Sequence, residues 1–427
     1  MFAARWSVAL VVCAFALCGA GCRKKVPAGA TFRLDNGMRV ELLATPGGDK
    51  AALALLFDVG ADHDPAGRSG MAHLVEHLFS TAGVGEKSAR TIKQLQEQVG
   101  HGFHAITGSD YTLYAMEVPA GRIMEEMDDA ALRMSRLTPK ESDLTRERAR
   151  LLDEIATAQE RDAPAAAMLR AAEAVRPSRA GGMREGVAAE VGAITLDEAE
   201  AFRRAHYGGA TARLIVAGRF DLEEATKRIK AAFAGVPGGK VAEPRPAAGS
   251  KVTGTLVMGD APSALAVAVP APATRDPLYA AFLALAARVL DPPAGTRTWK
   301  ADFAPLARPE VLFVQSQIAP GEPAEPAAAR VRTEVDAVVG GPATGDESDR
   351  VLARFGSTLG MTPTSAEACA AQPFECAFAA GRRAQLGVDG SALAQAVRSI
   401  TPEQLAAAAK LFGASNSAAV IAGGKAP

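Results

Sequence analysis

The chain has 427 residues, 48% of them hydrophobic and 22% charged, and carries a net charge of −1. That length has room for two or three domains, and the composition is that of a soluble globular protein. With a balanced charge, four tyrosines and two tryptophans it offers neither a basic footprint nor a row of aromatic platforms, so no nucleic-acid partner is expected.

Residues 1–22 read as an export signal. Arg5 precedes an apolar run from Trp6 to Ala20, the charged and apolar regions of a secretory leader. Gly19-Ala20-Gly21 before Cys22 resembles a bacterial lipoprotein cleavage site, although Gly19 stands where leucine is usual. Cys22 is therefore the expected lipid-attachment residue. Arg23 follows it rather than Asp, which resembles sorting to the outer membrane. The expected location is periplasmic, with a membrane tether.

The folded part is expected to begin near Ala30. Asn36-Gly37 between short apolar runs signals a hairpin. Ala51 to Val59 reads as a buried strand, Gly60 to Gly70 as a loop, and a helix starts at Met71. Ala89 to Val99 is a second helix; His104 to Thr107 and Tyr111 to Val118 are two strands. Helical patterns follow over Gly121 to Leu137 and Glu141 to Ala174, then a Gly/Arg-rich loop from Arg176 to Gly186, a strand from Leu214 and a helix from Leu222 to Phe233.

His73-Leu74-Val75-Glu76-His77 opens the helix from Met71. Positions i, i+3 and i+4 share one helix face, so two imidazoles and a carboxylate stand side by side. Two neutral imidazoles four residues apart can bind one Zn²⁺, and the carboxylate between them can act on a water. His-x-x-Glu-His reverses the commoner order and is the inverzincin signature. With only six histidines in the chain, a chance occurrence is rare; the bland reading is an amphipathic helix with two satisfied histidines. A catalytic zinc needs a third protein ligand and an open position. Glu147 and Glu154 lie two turns apart on one face of the helix from Glu141, and the helix alone leaves the choice between them open, since a solvated face is the default for any acidic residue.

The pattern resembles the pitrilysin/insulinase family of zinc peptidases over about residues 30–235. The resemblance runs from Leu34-Asp35-Asn36-Gly37 through Gly70-Met71-Ala72 and the motif to Asp110-Tyr111-Thr112-Leu113-Tyr114, Glu147-Arg148, Asp153-Glu154-Ile155 and His206-Tyr207. It implies Zn²⁺ held by His73, His77 and Glu154, the last 77 residues beyond the second histidine. It implies Glu76 as general base and Glu147 as a supporting carboxylate. It also implies that Ala105 to Thr107 is an edge strand that pairs with a peptide substrate. His104 stands where that family usually has asparagine, so it either replaces that contact or alters the grip on substrate; His101 with His104 as an additional metal site is the sharper alternative.

The second half echoes the first. Ile194-Thr195-Leu196-Asp197-Glu198 leads through a helix to Leu214–Gly218, and Ile400-Thr401-Pro402-Glu403-Gln404 leads through a helix to Ala419–Gly423. Both openings are capping boxes. Elements that do not simply alternate favour an α+β fold, here two duplicated α/β-layer domains. Their expected extents are 30–235 and 251–427, joined by a linker at 236–250 rich in Pro and Gly. The resemblance implies one half of a clamshell peptidase. In that family the half facing the zinc supplies an Arg and a Tyr, yet Tyr279 is the only tyrosine in the second half, and Arg297 and Trp299 are weak substitutes near the expected strand at Val311 to Gln317. A heterodimer with a related chain is therefore expected, with a second copy of this chain as the runner-up. The competing class is a non-catalytic subunit, and a surface lipoprotein using the motif only structurally makes the same zinc-free prediction. Cys369 and Cys376, seven residues apart in an exported chain, are expected to form a disulfide rather than two buried thiols.

Overall fold

A computed structural model describes residues 28–99, 102–159, 163–177, 185–241, 243–244, 251–258, 262–292, 298–308, 310–342 and 346–423. The N-terminal half is built on a six-stranded sheet. Its strands are β1 (Ala28–Arg33), β2 (Arg39–Ala44), β3 (Lys50–Phe57), β4 (Phe103–Thr107), β5 (Thr112–Pro119) and β6 (Ala212–Gly218). They lie in the order β1-β2-β6-β3-β5-β4, with only β2 and β6 parallel. The β1–β2 hairpin turns at Gly37, whose φ of 91° belongs to the left-handed region that glycine tolerates. Asn36 fixes this turn. Its Oδ1 accepts from Met38 N, and its Nδ2 donates to the carbonyls of Phe233 and Val236.

Strand β3 shows how the sheet is buried on both faces. Ala51, Leu53, Leu55 and Phe57 point into the main core, and Ala54 and Leu56 into a second cluster on the opposite face. The main core is covered by α1 (Met71–Thr81), α3 (Ile123–Arg136), α7 (Leu196–His206) and α8 (Leu222–Ala232). Helix α2 (Ile92–Val99) starts three residues later than the sequence suggests, and the stretch expected as one helix from Glu141 is seen as α4 (Glu141–Gln159) and α5 (Ala163–Val175), with α6 (Ala188–Ala193) following.

The C-terminal half repeats the plan. Strands β7 (Gly254–Met258), β8 (Pro262–Pro270), β9 (Trp299–Asp302), β10 (Val311–Gln317) and β11 (Ala418–Gly423) lie in the order β7-β11-β8-β10-β9, with β7 and β11 parallel. This is the order of β2-β6-β3-β5-β4. The capping boxes at Thr195 and Thr401 both form, on α7 and α15 (Pro402–Ala409), and each helix feeds a central strand. Where α1 follows β3 in the first half, α9 (Tyr279–Leu290) follows β8 in the second, and α10 (Ala324–Gly340), α11 (Glu347–Phe355) and α14 (Gly390–Arg398) come later in that half. Helix α9 is buried throughout and carries no histidine, so the second half has no counterpart of the motif.

The two halves exchange helices. Ala167, Ala171 and Ala174 of α5 pack on Ala266 and Ala268 of β8 and on Ala418 and Val420 of β11. In return, Ala377 and Ala380 of α13 (Pro373–Leu386) pack on Ala54, Leu56, Ile215 and Ala217 of the first sheet. Alanine on both sides lets helix and sheet approach closely, and Gly381 sits where a Cβ would come within 2.8 Å of Ile215 Cδ1. The stretch expected as a linker begins by strapping onto the first half: Gly209 and Ala210 donate to the carbonyls of Pro237 and Gly238, and Lys240 N to Ala205 O. Among the described residues no helix is long and apolar enough to cross a membrane. The leader and Cys22 lie outside the described residues.

Candidate metal centre

Helix α1 is held from both ends of its motif. Before it, the chain turns at Gly70 with φ 92°, where a Cβ would lie 2.6 Å from Val191 Cγ2. Asp64, only 1% exposed, reaches back to the first turn: its carboxylate accepts from Gly70 N at 2.7 Å and Ala72 N at 2.8 Å. Two donors that the helix itself leaves unpaired are thereby satisfied. Behind the helix, Phe57, Phe79, Tyr114 and Tyr207 form an aromatic cluster with centroids 4.2–6.0 Å apart in the contacting pairs. The Tyr207 hydroxyl lies 3.0 Å from Thr112 Oγ1, and burial pushes that phenol well above its ordinary range, so it remains a hydroxyl.

On the other face, His73 and His77 meet α4. Glu154 Oε2 lies 3.5 Å from His73 Nε2 and 3.5 Å from His77 Nε2. These separations are long for hydrogen bonds. They match the spacing of about 3.4 Å between ligand atoms of a tetrahedral zinc site with bonds of about 2.1 Å. Glu76 is also near: its carboxylate and both imidazoles place one ligand atom each within 4.8 Å of one another. Glu76 Oε2, however, already accepts from Thr107 Oγ1 at 2.7 Å. The donor set that fits zinc is therefore His73, His77 and Glu154, with Glu76 beside it. Burial holds the His73 imidazole below its ordinary range, which keeps it in the neutral form that binds metal. Burial alone would raise the Glu154 carboxyl; the adjacent His77, the Arg150 guanidinium and His73 outweigh it and hold that group low.

A buried frame supports these groups. Glu147, 2% exposed, accepts from Thr81 Oγ1, Arg146 Nε and Arg150 Nε, each at 2.9 Å. Its Oε2 lies 3.7 Å from His77 Nδ1, a buried nitrogen without a hydrogen bond among the described residues. Arg150 spans both carboxylates, since its Nη1 also donates to Glu154 Oε1 at 2.9 Å. That leaves Oε2 of Glu154 toward the imidazoles. His73 Nδ1 lies 3.4 Å from Glu185 O.

Strand β4 borders this centre and pairs only with β5 among the described residues, so its outer edge is open. Ala105 and Thr107 alternate with the more exposed His104 and Ile106. His104 belongs to the far face: its ring stacks on Phe374 of α13 at 4.6 Å, across the sheet from α1. The structure thus brings His73, Glu76, His77, Glu147, Glu154 and Thr107 together and sends the His104 ring elsewhere. His101 and Arg297 lie outside the described residues. Trp299 is 3% exposed in the core of the second half, so its indole is not offered to a facing site. Cys369 of α12 (Ala366–Ala371) is joined to Cys376 of α13 by a disulfide with Cα atoms 5.3 Å apart. Sequence reasoning missed Asp64, Thr81 and Arg150. Arg150 was accessible: it stands three residues after Glu147 and four before Glu154, on their face of the helix.

An inverted His-x-x-Glu-His helix facing a carboxylate-bearing helix, on one half of a duplicated α+β clamshell, defines the class. The chain belongs to the pitrilysin/insulinase family: residues 39–184 match the model "Insulinase (Peptidase family M16)" and residues 193–298 match "Peptidase M16 inactive domain". It is 26% identical over 200 residues to an uncharacterized zinc protease of Streptomyces coelicolor, covering 47% of this chain and 43% of that protein. It is 25% identical over 211 residues to Protease 3 of Escherichia coli, covering 48% of this chain and 22% of that one. The matches thus span less than half of either relative. Among solved structures, a protease from Helicobacter pylori superposes with a TM-score of 0.74 at 18% identity, covering 93% of this chain and 99% of that one. A peptidase M16 inactive domain from Pseudomonas fluorescens gives 0.71 at 18% identity, covering 92% and 98%. Pitrilysin gives 0.68 at 17% identity, covering 95% of this chain and 46% of that one. The fold is that of an M16 clamshell half, and the chain is a peptidase-like protein of that family.

Proposed function

We propose that the chain is a zinc-dependent endopeptidase acting on peptides or unfolded segments. The observation that carries the proposal is the convergence of His73 Nε2, His77 Nε2 and Glu154 Oε2 at the spacing of zinc ligands, with the Glu76 carboxylate beside them. A zinc ion bound there supplies Lewis-acid polarisation of the scissile carbonyl and makes an attacking water more acidic. Glu76 takes the proton from the attacking water and passes it to the leaving amine. An extended peptide adds to the open edge of β4, with backbone hydrogen bonds giving affinity at little sequence cost. The Arg150 bridge keeps Glu147 and Glu154 in register along α4.

The reading weighed against this is a non-catalytic subunit. It is favoured by the second half, which has no motif on α9 and buries Trp299. The full donor set in the first half favours catalysis, and the burial of the second half's one tyrosine, Tyr279, favours a related partner chain that supplies an Arg and a Tyr. We further propose export and a lipid anchor at Cys22, which intact-mass analysis of the mature protein tests: an unmodified N-terminus refutes the anchor. For the activity, Glu76→Gln should keep the metal and lose about 10²–10⁴-fold in peptide cleavage. His77→Ala should lose both. A Glu76→Gln variant that cleaves like the wild type refutes the assigned base.

A further inference from the structure

We infer that Thr107 is a positioning residue for Glu76, an inference that rests on the peptidase reading above. Thr107 ends β4, and its hydroxyl donates to Glu76 Oε2 at 2.7 Å. A carboxylate accepts only, so the direction of this bond is fixed, and it commits one oxygen of Glu76 while leaving Oε1 to handle the proton. Threonine suits the task because its β-branched side chain is stiff at χ1.

The backbone around it is equally fixed. Thr107 pairs with Thr112 in the β4–β5 ladder. Immediately after it, Gly108 N donates to Tyr111 O, and the carbonyls of Gly108 and Ser109 accept from Ala61 N and Asp62 N, in the segment that leads into α1. Two close approaches lock this turn: a Cβ on Gly60 would meet Gly108 O at 2.4 Å, and one on Gly108 would meet the Tyr111 ring at 2.3 Å. The donor therefore sits at a point tied both to the sheet and to the loop that starts the motif helix.

One strand thus does two things. Its open edge receives the substrate backbone, and its last side chain aims the base. The carboxylate is registered against the same backbone that registers the scissile bond, so misplacement of one relative to the other is restricted.

The test compares Thr107→Val, which keeps the branched shape and removes the hydroxyl, with Thr107→Ser, which keeps the hydroxyl. Zinc-loaded full-length wild type, Glu76→Gln and both variants are assayed on a mixed library of internally quenched peptides, together with bound zinc and melting temperature. The expected result for Thr107→Val is a kcat lower by roughly 10–100-fold with KM changed less than about 2-fold, the size found for outer-shell partners. Thr107→Ser should return to within about 3-fold of wild type. Zinc content should be unchanged in both. Wild-type kcat in Thr107→Val overturns the inference, as does a raised KM with unchanged kcat, which would make Thr107 a substrate contact. Thr107→Ala carries the same comparison if the valine variant melts early. A wild type as inactive as Glu76→Gln, both alone and mixed with a related chain that carries the Arg and Tyr, overturns the peptidase reading and this inference with it, whereas an active wild type with an indifferent Thr107→Val removes only the inference.

Discussion

Replacing Asp64 by alanine should damage the metal centre without touching a ligand. The Asp64 carboxylate takes hydrogen bonds from Gly70 N and Ala72 N at 2.7 and 2.8 Å, and it is 1% exposed. Charge-assisted hydrogen bonds contribute about 1.5–3 kcal/mol each, and relief of the buried charge offsets part of their loss. A net loss of about 2–4 kcal/mol follows, above the ordinary cap value of about 1 kcal/mol because both orphaned amides are buried. For a unit the size of the N-terminal half, 1 kcal/mol corresponds to about 2–4 °C, so melting should fall by roughly 4–16 °C. His73 is the third residue of α1, so fraying of the first turn also misdirects its imidazole, and zinc affinity should drop by about 10–100-fold. Calorimetry of the metal-free protein and zinc titration against a chromophoric chelator read both effects. Asp64→Asn, which keeps one acceptor oxygen, should fall between. An alanine variant that melts within about 1 °C of wild type and binds zinc equally well would refute the reasoning.

Burial holds the imidazoles of His63 and His73 below the ordinary range, so the unfolded chain protonates first as pH falls through about 6.5. The metal-free protein should therefore lose stability below that pH, by up to about 1.4 kcal/mol per pH unit for each histidine, until the folded state protonates too. Urea melts across that range should show the slope, smaller in His63→Gln; a flat profile contradicts it. Reducing Cys369–Cys376 should cost roughly 2–3 kcal/mol in the chain-entropy picture. It should also loosen α13 over β3 and β6, read as faster amide exchange in those strands; unchanged exchange and stability would contradict this. Mixing with a related chain that carries the Arg and Tyr should raise peptidase activity by about 10²-fold or more. Full activity from a monodisperse monomer or homodimer would defeat that expectation.

Local signals were the legible part of the fold. The motif faces one way because i, i+3 and i+4 coincide on any α-helix, and the boxes at Thr195 and Thr401 form because both partners lie within one turn. Asn36-Gly37 announces its hairpin by the same local logic. The exchange of α5 and α13 was not legible: an alanine-rich face reads the same whichever sheet it covers, and only the tertiary fold decides. Asp64 escaped notice because it caps from six residues ahead through a folded loop. In the sequence Thr107 reads as a backbone position of an edge strand, because its hydroxyl bond to Glu76 spans 31 residues and two elements. The helix pattern alone leaves Glu147 and Glu154 open and the family resemblance points to Glu154; that Thr81 and Arg146 occupy Glu147 is a matter of three-dimensional neighbours.

X-ray absorption at the zinc edge, on the purified chain and on Glu154→Ala, tests the central claim most directly. The account predicts about one zinc per wild-type chain in a shell of two imidazole nitrogens and light oxygen ligands at about 2.0–2.2 Å, without sulfur, and loss of most of that zinc in Glu154→Ala. A wild-type chain that takes up no zinc, or a Glu154→Ala shell identical to wild type, would contradict it.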